Sequence, residues 1–157
     1  MFDGMFPKGV HRAYFKSLYI KDLDDGVIDE IAPRSADRPS DLTLCSVWYM
    51  GGATSRVAAD ATAFGDRDIG WMLSIDGLWE DAADDEKNLD WARSFWSDMQ
   101  RHSNGRAYLN FAGLGEEGDK LIRASHGQAN YDRLVALKKQ YDPSNLFRLN
   151  QNIKPQA

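Results

Sequence analysis

Apolar and polar positions alternate from Arg12 to Ile20, with Tyr14, Phe15, Leu18 and Tyr19 among the apolar ones, and this pattern predicts a strand. Asp24 or Asp25 can cap a helix that carries Val27, Ile28 and Ile31 and ends near Pro33. Leu42 to Met50 is rich in β-formers and stops at Gly51-Gly52. Ala58 to Gly70 has no period and reads as loop. Trp71 to Trp79 is a further apolar strand, with Gly70 and Gly77 as points for a bulge.

Asp81 to His102 carries the strongest helical signal. Leu89, Ala92, Phe95, Trp96 and Met99 recur three and four apart and make one apolar face. Asp84, Asp85 and Glu86 suit the positive end of the helix dipole, and Arg101 and His102 the negative end. Asn104-Gly105 breaks the pattern. Ala107 to Ala112 reads as a returning strand, followed by helices from about Glu116 to Ser125 and from about Asn130 to Tyr141. The order β-α-β-β-α-β-α-α predicts an α+β fold: a mainly antiparallel sheet with helices packed on one face. Residues 1–157 read as one domain without repeats or a linker.

Composition narrows the function. The net charge of −5 comes with no basic stripe, so nucleic acid is not an expected partner. No apolar run approaches the roughly 20 residues that span a bilayer, so no membrane partner is expected. The opening Met1-Phe2-Asp3-Gly4 lacks the charged and apolar regions of a signal peptide, and a cytoplasmic location is the expectation. The single cysteine, Cys45, excludes an intramolecular disulfide, and its apolar surroundings predict a buried, inert thiol.

Several motifs offer chemistry. Gly113-Leu114-Gly115-Glu116-Glu117-Gly118 matches a dinucleotide-loop spacing. Glu116 and Glu117 would place negative charge where a pyrophosphate needs bare backbone donors, so it reads as a glycine turn with helix-capping acids. His11, His102 and His126 are scattered, and no metal set is expected. The acidic run from Glu80 to Glu86 reads as a solvated helix start. Tyr108 and Asn110 would share one face of a strand and present a phenol beside an amide. The tail from Tyr141 to Ile153 combines a helix stop at Asp142-Pro143 with amides at Asn150, Gln151 and Asn152, and Leu146, Phe147, Leu149 and Ile153 are expected to anchor it on a core. It reads either as a site for a hydrogen-bonding ligand or as a strap with solvated amides.

The tail resembles the end of the berberine bridge enzyme-like family of FAD-linked oxidases, Tyr-Asp-Pro-x-Asn-x-Phe-x-x-Asn-Gln-x-Ile. Arg106-Ala107-Tyr108-Leu109-Asn110-Phe111 resembles that family's Tyr-x-Asn-Tyr/Phe strand. Ser46 to Ala53 and Ala61 to Arg67 resemble a strand and loop of its substrate domain, and Asn130 to Lys138 the helix leading to the tail. The resemblance implies the C-terminal part of a substrate domain, with the berberine-like tail at about 106–154 and the FAD-binding domain absent. It implies FAD as cofactor of the intact enzyme, not retained by this part alone, and a small organic substrate oxidised by hydride transfer to flavin N5 with oxygen as final acceptor.

Tyr108 becomes the candidate for proton transfer, and Asn110, Asn150 and Asn152 the candidates for flavin contacts. Ser74 and Trp48 become candidates for lining the substrate pocket, with Tyr14 and Lys16 as further ones. Phe111 stands where the family often has a second tyrosine, so acid-base chemistry at that position is not implied. Part of the sheet would lie outside this chain, and an open edge invites a homo-oligomer. The competing reading is a noncatalytic α+β module that binds a small aromatic ligand or associates with itself.

Overall fold

Ser17, Ser74 and Ser46 lie side by side across three antiparallel strands and mark the middle of the sheet. The strands are β1 (Arg12–Ile20), β2 (Leu44–Tyr49) and β3 (Trp71–Trp79), in the order β1-β3-β2. The computed structural model describes residues 9–112, 118–149 and 151–155. The helices are α1 (Asp25–Ala36), α2 (Asp85–Met99), α3 (Gly118–His126) and α4 (Gln128–Tyr141). This is the α+β arrangement that the alternation predicts.

Strand alternation gives the sheet two different faces. Tyr14, Leu18 and Ile20 of β1 and Leu73, Ile75 and Trp79 of β3 form the main core with Val27 of α1 and Trp91, Ala92, Phe95 and Met99 of α2. Truncating a fully buried ring such as Phe95 to alanine would cost about 3–5 kcal/mol. Indole donors fix the helix layer: Trp91 Nε1 donates to the Arg34 carbonyl at 3.3 Å and Trp96 Nε1 to the Ser17 carbonyl at 3.0 Å. Lys16 also lies on this face, its ammonium 4.6 Å from the Trp96 ring centre. Tyr14 and Lys16 therefore face the helices, which corrects their expected place in a substrate pocket.

The opposite face carries Phe15, Ser17 and Tyr19 of β1, Met72, Ser74 and Asp76 of β3, and Ser46 and Trp48 of β2. Tyr19 and Met72 are buried there with Ile69.

The helix starts follow the sequence. Asp24 accepts from the Val27 N–H at 2.9 Å and caps α1. Pro33 does not end that helix. It removes only its own N–H, and the last turn closes through the Asp37 N–H donating to the Pro33 carbonyl at 3.0 Å. The long helical signal resolves into α2 flanked by 3-10 turns at Ala82–Asp84 and Gln100–His102. Cys45 is half-buried with a free thiol, and burial pushes its pKa up.

The expected strand at Ala107 to Ala112 is absent. The chain is extended at Tyr108 and then turns through a 3-10 segment at Leu109–Phe111. Its backbone bonds go elsewhere. The Tyr19 N–H donates to the Arg106 carbonyl at 3.2 Å, and the Tyr108 N–H donates to Ser17 Oγ at 3.1 Å. Residues 103–108 thereby cover the outer edge of β1. Among the described residues no strand pairs with the outer edge of β2, where Trp48 and Tyr49 are exposed.

Among the described residues, no helix is long and apolar enough to cross a membrane, and no three His, Cys, Asp or Glu side chains are grouped to hold a metal ion.

Candidate functional site

A cavity of about 490 Å³ opens where three chain segments meet beside the end of β1. Tyr19 supplies its floor, the loop from Ala63 to Asp66 one wall, and Ala107 to Asn110 another, with Ser125 and His126 from the end of α3 and Met50 completing it. Its volume falls within the range of small-molecule sites, roughly 300–1,000 Å³.

Each wall has a physical anchor. The Ser17 hydroxyl donates to the Tyr108 carbonyl and accepts from the Tyr108 N–H, both at 3.1 Å, so one side chain holds the backbone of residue 108 on the sheet. The Ala107 N–H donates to Ser125 Oγ at 3.1 Å and ties the same segment to α3. On the other wall, His126 Nδ1 lies 3.1 Å from the Ala63 carbonyl, a contact that needs the N–H on that nitrogen. Gly65 permits this approach: a Cβ there would fall 2.6 Å from the His126 carbonyl oxygen.

Tyr108 and Asn110 do come together, although not as strand neighbours. The 3-10 turn brings the Asn110 amide to donate to the Tyr108 hydroxyl at 2.8 Å. The Tyr108 ring sits edge-on to Phe64 at 6.5 Å and to Phe111 at 5.3 Å. Phe111 thus acts as a packing surface for Tyr108.

The other expected site residues scatter around this centre. Trp48 lies on the same sheet face as Tyr19, across Met72, and is half exposed, but it does not line the cavity. Ser74 shares that face and is fully buried, its hydroxyl donating to Asp76. A side chain sealed in this way does not line the cavity in this structure, and that corrects the expectation for Ser74. Asn152 is half-buried, and its Oδ1 has no hydrogen-bond partner among the described residues. Its neighbour Ile153 packs with Leu109 against Ile122, Tyr131 and Val135 of α3 and α4, so both asparagine-bearing segments rest on one cluster. Asn150 lies outside the described residues, as do Gly113 to Glu117 of the glycine-rich motif.

Two cavity residues escaped the sequence reading. Tyr19 is fully buried, and burial together with the nearby Asp66 and Tyr108 raises its pKa. Asp66 is also buried, and desolvation lifts its pKa to about 6 against the opposing pull of Arg106, whose Nη1 lies 2.6 Å away. Arg106 Nη2 reaches Asp68 at 3.0 Å and holds that exposed carboxyl below its ordinary range. A strand tyrosine and a loop aspartate give no local sign of meeting; only the loop's run of Asp66, Arg67 and Asp68 hints at a charged anchor.

The chain now stands beside known proteins. Its fold is similar to part of the solved structure of BBE-like #28 from Arabidopsis thaliana, with a TM-score of 0.81 at 22% identity, over 94% of this chain and 34% of that one. The family model "Berberine and berberine like" matches residues 107–154. Berberine bridge enzyme-like 17 of Arabidopsis thaliana is 35% identical over 73% of this chain and 25% of its own length. An uncharacterised FAD-linked oxidoreductase of Bacillus subtilis is 33% identical over 70% of this chain and 24% of its own length. The chain belongs to the berberine bridge enzyme-like family of FAD-linked oxidoreductases. It spans about a quarter of the length of these curated relatives.

Proposed function

We propose that this chain forms the substrate-orienting wall of an FAD-dependent oxidoreductase acting on a small organic molecule. The observation that carries the reading is the Tyr108 hydroxyl, hydrogen-bonded to Asn110 at the edge of an aromatic cavity, within the segment matched by the family model.

The residues fit a flavin in kind. Asn152 offers a buried carbonyl oxygen with no partner among the described residues, Asn110 an exposed amide, and Trp48 a half-exposed ring on the sheet face away from α1 and α2. Asn110, Asn152 and, by sequence, Asn150 would hold the cofactor. FAD, when bound, supplies a hydride acceptor at N5 and passes the electrons on to oxygen. The chain's own work is done by its side chains. Phe64, Met50 and Leu109 exclude water and position an apolar substrate, and Tyr108, once its hydroxyl has given its own proton to solvent, takes a proton from the substrate as a phenolate and returns to the neutral phenol. Asn110 orients that hydroxyl by donating to its oxygen, which stabilises the phenolate when the proton on Tyr108 is passed on.

The tail supports a docking role toward the rest of such an enzyme. Asp142 accepts from the Leu146 N–H at 2.7 Å and the Phe147 N–H at 3.1 Å, and Lys138 bridges Asp142 and the Phe147 carbonyl. This braced turn presents Leu146, Phe147 and Leu149 to solvent, an apolar ridge of the kind that marks an interface.

Turnover by the FAD-loaded oxidoreductase that carries this segment tests the reading. Tyr108→Phe should lower kcat by about 100-fold or more while the flavin absorbance bands persist. Unchanged turnover would make Tyr108 a packing residue and end this proposal. A second reading draws on the open β2 edge, where Leu44, Val47, Trp48 and Tyr49 are exposed: a noncatalytic module that pairs with its own copy. Sedimentation that shows a monomer at micromolar concentration would remove it.

A further inference from the structure

His126 ends α3, is half-buried and lines the cavity. Its Nδ1 lies 3.1 Å from the Ala63 carbonyl, which can only accept, so the ring proton sits on Nδ1. In the neutral ring that tautomer leaves a lone pair on Nε2. Among the described residues nothing donates to Nε2, and the atom is open to solvent, whereas Tyr19 Oη and Asp66 Oδ1 of the same cavity are sealed. Nε2 is therefore an acceptor that a ligand can reach. The bond to Ala63 and the close packing of Gly65 on the His126 carbonyl fix the residue in advance, so binding has little left to order.

A group that meets this nitrogen must have a proton to give. A carboxylate has none, and a cation is disfavoured by Arg67, whose guanidinium stacks at 4.9 Å on the Phe64 ring of the same cavity. An amide N–H brings along a carbonyl that Met50, Phe64 and Leu109 would leave unpaired. A hydroxyl gives one proton and leaves the remainder of the molecule free to be apolar. Those three side chains then suit a ring-sized apolar body through aromatic and sulfur contacts.

We propose that His126 is a specificity residue of this cavity, its Nε2 accepting from the hydroxyl of a small, ring-bearing, otherwise apolar molecule. The proposal rests on the reading of this cavity as a substrate site and adds the class of substrate to it. His126 is distinct from Tyr108 in role: it holds a hydroxyl in place and transfers no proton. No flavin is needed for its test.

The full chain is titrated by ligand-observed NMR with phenol, with toluene as its isostere lacking the hydroxyl, and with benzoate and benzylammonium as charged competitors. Phenol should bind about threefold to tenfold more tightly than toluene, the ratio expected of one net hydrogen bond, and more tightly than either ion. His126→Asn keeps an amide donor for the Ala63 carbonyl and removes the acceptor, so phenol should fall to the toluene level while toluene is unchanged. If that variant fails to fold, NMR of the imidazole nitrogens in the parent chain serves in its place: phenol should shift the Nε2 resonance, and toluene should leave it where it is. Absent phenol binding, equal affinity for phenol and toluene, tighter binding of either ion, an unmoved Nε2 resonance, or a His126→Asn chain that keeps the phenol preference would each overturn the proposal. A Tyr108→Phe enzyme with undiminished turnover would instead retire the oxidoreductase reading and leave the phenol-to-toluene ratio untouched.

Discussion

Ser17 grips the backbone of Tyr108 from both sides, accepting from its N–H and donating to its carbonyl at 3.1 Å each. A side chain here does the work of a missing strand neighbour. Thr43 repeats the device near the other sheet edge, with Oγ1 donating to the Leu78 carbonyl at 3.2 Å and accepting from the Leu78 N–H at 3.1 Å.

Ser17→Ala should therefore remove two partly buried hydrogen bonds at once and leave both Tyr108 groups unpaired. The expected loss is about 1–3 kcal/mol of stability. Urea denaturation measures it as a lower midpoint. Faster amide exchange confined to residues 107–111 would separate this local effect from global loosening.

Gly65→Ala tests the second wall. The added Cβ meets a backbone oxygen, so the loop and the end of α3 must separate. A cost of about 1–3 kcal/mol follows from such overpacking. The His126–Ala63 contact should break with it, and the imidazole Nδ1 proton observed by NMR should lose protection.

Acid titration should show an unusual sign at Asp66. Its folded pKa of about 6 lies above its ordinary value of 3.8, so between those values the native state binds more protons than the unfolded chain. Stability from this group is then highest below the lower value and declines as pH rises to about 6. Glu30, Asp68, Asp85 and Asp142 act in the opposite sense, because their cationic partners and hydrogen bonds hold them below the ordinary range, and their contribution is lost on acidification. Subtracting the pH profile of Asp66→Asn from that of the parent chain isolates the Asp66 slope. A difference that rises with pH over this window would contradict the assignment.

Asp142→Ala should release the tail without disturbing the sheet. The variant loses the acceptors for the Leu146 and Phe147 N–H groups and the partner of Lys138. Limited proteolysis should cut sooner between Pro143 and Leu149, while the far-ultraviolet circular dichroism of α1 and α2 persists. Equal protease resistance would show that the tail is held by other contacts.

The regular elements were legible because their causes are local. An apolar run after Gly70 places Trp71–Trp79, though Gly77 pairs with Tyr14 in unbroken register instead of forming a bulge, and the Asp24 cap places α1. The stretch 107–112 was misread as a strand because its composition suits one, while its partners are a serine side chain and the ends of distant elements. The Tyr108–Asn110 pairing survived that error, since a 3-10 turn also brings these two side chains together. Ser74 differs: it was expected to line a pocket, and its burial against Asp76 depends on tertiary packing that the sequence pattern does not encode. Tyr19 and Asp66 meet only because the loop after Ala58 folds back over β1, and no periodicity reports such a return.

The curl at Leu109–Phe111 has one more effect. It adds no strand to the three-stranded ladder, yet Leu109 packs on the Ile122, Tyr131 and Val135 cluster and Phe111 on the Tyr19, Ile69 and Met72 cluster, while Asn110 between them is exposed. A change at residue 110 can therefore reshape the mouth of the cavity while its two neighbours keep the curl anchored.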